Sequence, residues 1–285
     1  MTKLQTPTIR SEHKVSTANT TALFETTYTQ LSERKTYSDR SKTFERLLVT
    51  PVHYESNYAY PLIVWLHDSG KTEREILNVM PCISDRNYIA VAPRGFQRKE
   101  RRVIRSFVNG RMIEQKSWLD TIYDWEETEK NISEAENLVF DSITEASNKY
   151  NVHNRRVFLA GRGTGGTMAL HVALRNPREF AGVVSIDARF PCLERQILRQ
   201  WDLARDLPML ITTGSHNSTR APRLSVEELQ LLHTAGMTAL VRQYNDNFRS
   251  PLILEERMNR LLTDVNRWVL ERALNPQSTS SEFFA

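Results

Sequence analysis

Cysteine is nearly missing from this chain: only Cys82 and Cys192 occur in 285 residues. Both stand in apolar contexts without partner or ligand spacing. No disulfide framework is implied, and the two thiols are expected as reduced core residues of a cytoplasmic protein. Long apolar runs are also missing, so no membrane span is expected, and the N-terminus lacks the apolar core of a secretory signal. The first thirty residues carry a single arginine, Arg10, against Glu12 and Glu25, which speaks against a transit peptide. Charge of one sign is not in large excess. A net charge of +4 and a pI near 9.1 describe a mildly basic solvated surface. No internal repeat is visible, and no cofactor motif outside one glycine cluster.

What is present is an alternation. Residues 1–43 are crowded with Ser and Thr and show little apolar period, so they are expected as a flexible or loosely packed N-terminal extension, and residues 276–285 are expected as a second tail. Between them, short apolar runs at 46–52, 61–67, 88–93, 156–161, 182–187, 208–214 and 239–244 are β-branched and apolar on both parities. That pattern suits strands buried on both faces of a mostly parallel sheet. Helix-period segments separate them at about 73–86, 128–150, 165–176, 225–236 and 255–273. The last carries Met258, Leu261, Leu262, Val265, Trp268 and Val269 at helical spacing. The expected architecture is therefore one doubly wound α/β domain over 44–275, with no room for a second.

One segment departs from this rhythm. Residues 97–118 hold seven Lys and Arg against two Glu, a local excess of +5. It is expected as a solvated loop, in a position where α/β proteins carry pocket-covering excursions. Nucleic acid is not expected as a partner, because neither interleaved aromatics nor a binding module accompanies the charge.

The glycine cluster lies in "VFLAGRGTGGTMAL", Val157 to Leu170. Gly161, Gly163 and Gly166 spell G-x-G-x-x-G between a strand and a helix, and the next strand ends at Asp187. Such spacing would place a pyrophosphate on the helix N-terminus and a carboxylate on a ribose. Against this dinucleotide reading, the unit follows three other strands rather than opening the fold.

A different match runs further. "PLIVWLHDSG", "YIAVAPRG", "RVFLAGRGTGGTMALHVALRNPREFAGVVSI", "LPMLITTGSHN", "ALVRQY" and "LLTDVNRWVLERAL" follow one another as in the α/β-hydrolase superfamily. The chain resembles its phospholipase/carboxylesterase branch over about 44–273, most specifically at 156–186. The resemblance implies an oxyanion loop at His67 and Asp68, and a nucleophile elbow at the glycine cluster. It also implies a Ser-His-Asp triad.

None of the three slots holds a competent residue. The nucleophile slot falls on Gly163. Thr164 follows it, in the position whose backbone N–H serves the oxyanion hole. The acid slot falls on Asn217. No histidine follows His233, and by spacing the base slot falls near Arg249. A catalytically inactive or strongly impaired member of the fold is implied, acting by binding a small molecule or a protein partner. An ester hydrolase with a relocated site is the alternative. Its candidate groups stand at the C-terminal ends of strands: His67, Asp68, Asp187, His216 and Asp246, with Ser69 and Ser215 as hydroxyl donors. None shows metal-ligand spacing. Trp65 and Trp268 read as packing aromatics, and His171 and His233 as hydrogen-bonded or surface residues on helices.

Overall fold

The computed structural model describes residues 32–39, 42–108, 111–191, 201–214, 230, 232–244 and 251–274. Its strands are β1 Ser32–Asp39, β2 Lys42–Val49, β3 Tyr60–Leu66, β4 Ile89–Pro93, β5 Phe96–Val108, β6 Arg111–Asp124, β7 Val152–Arg162, β8 Gly182–Ile186, β9 Met209–Gly214 and β10 Ala239–Tyr244. Its α-helices are α1 Ile76–Ile83, α2 Glu129–Lys149, α3 Thr164–Arg175, the single turn α4 Trp201–Ala204, and α5 Pro251–Leu274.

Eight strands form one sheet in the order β1-β2-β4-β3-β7-β8-β9-β10. From β4 to β10 every neighbouring pair is parallel, whereas β1–β2 and β2–β4 are antiparallel. Both faces are covered, which is why β3 and β4 carry apolar side chains on both faces. Along β3, Leu62, Val64 and Leu66 enter one core with Ile132, Leu138 and Val139 of α2 and with Met168 and Val172 of α3. The alternate residues Ile63 and Trp65 enter the other core, against Val79 and Met80 of α1 and Leu261, Val265 and Trp268 of α5. Period-2 alternation thus distributes side chains between two layers of helices. The result is a single-domain, mostly parallel α/β-hydrolase-like fold.

Two parts of the chain differ from expectation. The first strand, β1, lies inside the stretch expected as extension. It pairs with β2 over its whole length, Ser32 opposite Val49 and Asp39 opposite Lys42. The basic segment is not a loop. β5 and β6 pair antiparallel from Phe96↔Asp124 to Val108↔Arg111, with one irregularity between Arg101 and Val103. They form a separate two-stranded sheet. At its base the arm meets the body, where Ile122 and Asp124 are buried and Phe96 packs against the core. The helix expected at 225–236 falls largely outside the described residues. No helix among the described residues is long and apolar enough to cross a membrane.

Candidate functional site at the strand-to-helix elbow

In a sheet of this kind ligand sites lie beyond the C-terminal ends of the strands, beside the point where the strand order reverses. Here β3 occupies that point, between β4 and β7. Its C-terminal end delivers His67 and Asp68, the end of β7 delivers Gly163, and the end of β8 delivers Asp187.

The turn from β7 into α3 is tight enough to require glycine repeatedly. A Cβ on Gly161 would come within 2.4 Å of the Gly165 carbonyl oxygen, and one on Gly165 within 2.3 Å of the Leu66 oxygen. A Cβ on Gly166 would meet the Ala188 methyl at 2.7 Å. These three glycines therefore serve the close approach of helix to sheet. Gly163 is different, because it makes the turn itself, with φ +54° and ψ −124°. Its N–H donates to Ile186 O at 2.9 Å and its carbonyl accepts from Thr167 N at 3.1 Å. This is the strained backbone of a nucleophile elbow.

The space a nucleophile would fill is taken. A Cβ on Gly163 would lie 1.8 Å from Asp68 Oδ1, 2.5 Å from its Cγ and 3.1 Å from its Oδ2. The Asp68 carboxylate sits where a serine side chain would begin. Two things hold it there: Ser69 N–H donates to Oδ1 at 2.7 Å, and Asp68's own N–H donates to Glu75 Oε2 at 3.1 Å. Gly163 is the N-cap of α3 and supplies no side-chain cap. Unpaired N–H groups and the helix dipole make that end favourable for an anion, and a carboxylate now stands over it.

His67 is fully buried and engaged at both ring nitrogens. Nε2 accepts from Gly95 N at 2.9 Å, so Nδ1 carries the proton and donates to Asp68 O at 2.8 Å. Burial, against the Trp125 ring at 5.5 Å, pushes its pKa below the ordinary 6.5, with the Asp68 carbonyl opposing. A neutral imidazole with both nitrogens engaged orients the loop and is not placed to take a proton from a substrate.

Asp124, which was not singled out from sequence, organises the rest. It is 4% exposed at the end of β6. Oδ1 accepts from Thr164 Oγ1 at 2.7 Å and Trp125 N at 2.8 Å. Oδ2 accepts from Ser69 Oγ at 2.9 Å and pairs with Arg98 Nη2 at 3.1 Å. The hydroxyls of Thr164 and Ser69 are thus both donors to one carboxylate. With Gly70 N donating to Tyr123 O at 2.9 Å, these bonds fasten the base of the β5–β6 arm to the His67–Gly70 loop. No single-residue pattern marked Asp124; its role depends on where the arm returns to the body.

Beneath the loop, Glu75 accepts from Trp65 Nε1 at 3.1 Å as well as from Asp68 N. Burial pushes its carboxyl up, opposed by those hydrogen bonds and by Arg162. Arg94 makes a two-pronged pair with the buried Glu73 and reaches Glu45 at 2.6 Å. Asp187 has φ +48° and donates its N–H to Thr212 O at 2.9 Å. On α3, His171 is buried and meets Glu127 Oε2 at 3.3 Å. His171, followed by Arg189, lowers the Glu127 pKa. Among the described residues no three His, Cys, Asp or Glu side chains converge as metal ligands would. His216, Asn217, Asp246 and Arg249, with Ser215 and Cys192, lie outside the described residues.

The sequence profile of the phospholipase/carboxylesterase family matches residues 51–268. No curated protein sequence matches the chain significantly. Among solved structures, a thermostable esterase is similar with a TM-score of 0.58 and 14% identity, over 86% of this chain and 64% of its own. An S-formylglutathione hydrolase from Agrobacterium tumefaciens is similar at TM-score 0.56 and 15% identity, over 85% of this chain and 95% of its own. A carboxylesterase from Bacillus cereus follows at TM-score 0.53 and 16% identity, over 80% and 94%. At such identities the structures speak for the fold, and the sequence profile speaks for the family. An elbow with its glycine-packed helix, a His-Asp loop facing it and a profile match across most of the domain lead to one statement: this chain belongs to the phospholipase/carboxylesterase family of α/β-hydrolases.

Proposed function

We propose that this protein is a non-catalytic member of its family that works by binding a small molecule or a protein partner at the strand C-terminal end. The observation that carries the reading is the Asp68 carboxylate 1.8 Å from where a Cβ of residue 163 would stand. Acyl transfer needs a hydroxyl or thiol at that point, with a base to take its proton. Gly163 has neither, and the side chain that fills the space is an anion that repels a developing oxyanion. The neighbouring hydroxyls of Ser69 and Thr164 are held by Asp124, and the nearby imidazole of His67 is fully engaged.

The two competing readings are weakened by the same geometry. A pyrophosphate at Gly161, Gly163 and Gly166 would have to share the α3 N-terminus with the Asp68 carboxylate. A relocated hydrolytic site would have to dispense with His67. The decisive assay is hydrolysis of p-nitrophenyl acetate and butyrate by stringently purified protein. Rates equal to buffer are expected; sustained turnover that persists in Thr164→Ala would overturn the proposal.

A further inference from the structure

A cavity opens directly beside the elbow and is separate from the space that Asp68 fills. It has a volume of about 650 Å³, within the usual range for small-molecule sites. Its apolar wall comes from Leu77 and Val79 of α1 and from Met258 and Leu262 of α5. Three cationic residues also border it: Lys71, Arg74 and Arg162. Glu75 is the one carboxylate in its lining. It is already an acceptor for Trp65 Nε1 and Asp68 N and stands 4.0 Å from Arg162 Nη1. That is an ion pair at the limit of contact, and it leaves guanidinium donors of Arg162 for another acceptor. Lys71 and Arg74 are exposed, and neither has an ion-pair partner among the described residues. Cationic groups outnumber carboxylates three to one around an apolar slot.

We infer that the cavity between α1, α5 and Arg162 binds an anionic amphiphile, an acyl or alkyl chain ending in a carboxylate or phosphate. The chain lies between Leu77, Val79, Met258 and Leu262, and the head group meets Arg162, with Lys71 and Arg74 at the mouth. Arginine suits this place because its planar fork matches both carboxylate and phosphate oxygens in pairs. Binding requires no bond to form or break. The inference rests on the non-catalytic reading, in that an ester's acid portion would be held as the free anion rather than as a substrate.

The test is calorimetric titration of the full chain with decanoate, decyl phosphate and decanol. At least one of the two anions should bind, and decanol should bind about tenfold more weakly, as expected when a charge-assisted pair is missing. Arg162→Gln should weaken the anions by about tenfold and leave decanol unchanged. Whichever anion binds more tightly names the head group. Equal affinity for decanol and the anions, or unaltered anion binding in Arg162→Gln with an unchanged melting temperature, would overturn the inference. Hydrolysis of p-nitrophenyl decanoate is followed in the same samples. Turnover there sinks the non-catalytic reading regardless of the titrations, whereas absence of both turnover and anion binding sinks this inference alone.

Discussion

The elbow and the loop that faces it make an instructive pair. At the elbow the backbone of a hydrolase is retained: the turn at Gly163, the glycines that let α3 approach, and the bond from Gly163 N to Ile186 O. In the His67–Gly70 loop the side chains are arranged around the Gly163 turn and Asp124. Asp68 fills the vacated space, Ser69 donates to Asp124, and His67 supports the loop carbonyl. The geometry of the turn is dictated by packing against the whole sheet. The side chains above it are held by the surrounding loops, Ser69 by Asp124 and His67 by the Gly95 N–H.

Substitutions that separate backbone clashes from side-chain clashes sharpen this contrast. Gly165→Ala should be the most damaging, because its Cβ would meet the Leu66 and His67 carbonyls, both backbone atoms, at 2.3 and 2.4 Å. A cost of about 3 kcal/mol or more is expected, and roughly 10 °C in melting temperature. No change in Asp68 should relieve it. Next comes Asp124→Ala, which removes the acceptor for Thr164, Ser69, Trp125 N–H and Arg98. About 2–3 kcal/mol should be lost in urea unfolding, discounted for the half-exposed Arg98. Amide exchange at the base of the β5–β6 arm should rise in that variant, because the arm is tied to the body there.

A smaller effect follows from His67. Burial holds its pKa below 6.5 in the folded chain, so as pH falls the unfolded chain takes up the proton first. Its contribution to stability is therefore present above about pH 6.5 and is lost below it. Melting temperature should decline between pH 7 and pH 5, and His67→Asn should flatten part of that slope. A slope identical to that of the unaltered protein would remove His67 from the account.

Sequence made the core legible for a definite reason. Strands such as β3 and β4 are buried on both faces, and the doubly apolar pattern of Leu62–Leu66 and Ile89–Ala92 has no other economical reading. β1 and the β5–β6 arm escaped notice because their sequences carry charge and hydroxyls where a packed strand carries apolar residues. Their pairing is recorded in the ladder between neighbouring strands, which leaves no apolar period in the sequence. At the site, the empty nucleophile slot at Gly163 was visible in one residue. The occupant was not. Asp68 lies 95 positions away in sequence, and Asp124 closes the second strand of an arm whose basic part carries no apolar period. Distances between loops that converge only in the folded chain leave no periodic trace.

The central claim is that the Asp68 carboxylate occupies the space of the missing nucleophile, and a double-mutant cycle measures it directly. Gly163→Ala should destabilise by about 2 kcal/mol through the clash and the positive φ. In the Asp68→Gly background part of that cost should vanish, giving a coupling energy of about 1 kcal/mol or more. Additive effects of the two substitutions would contradict the account.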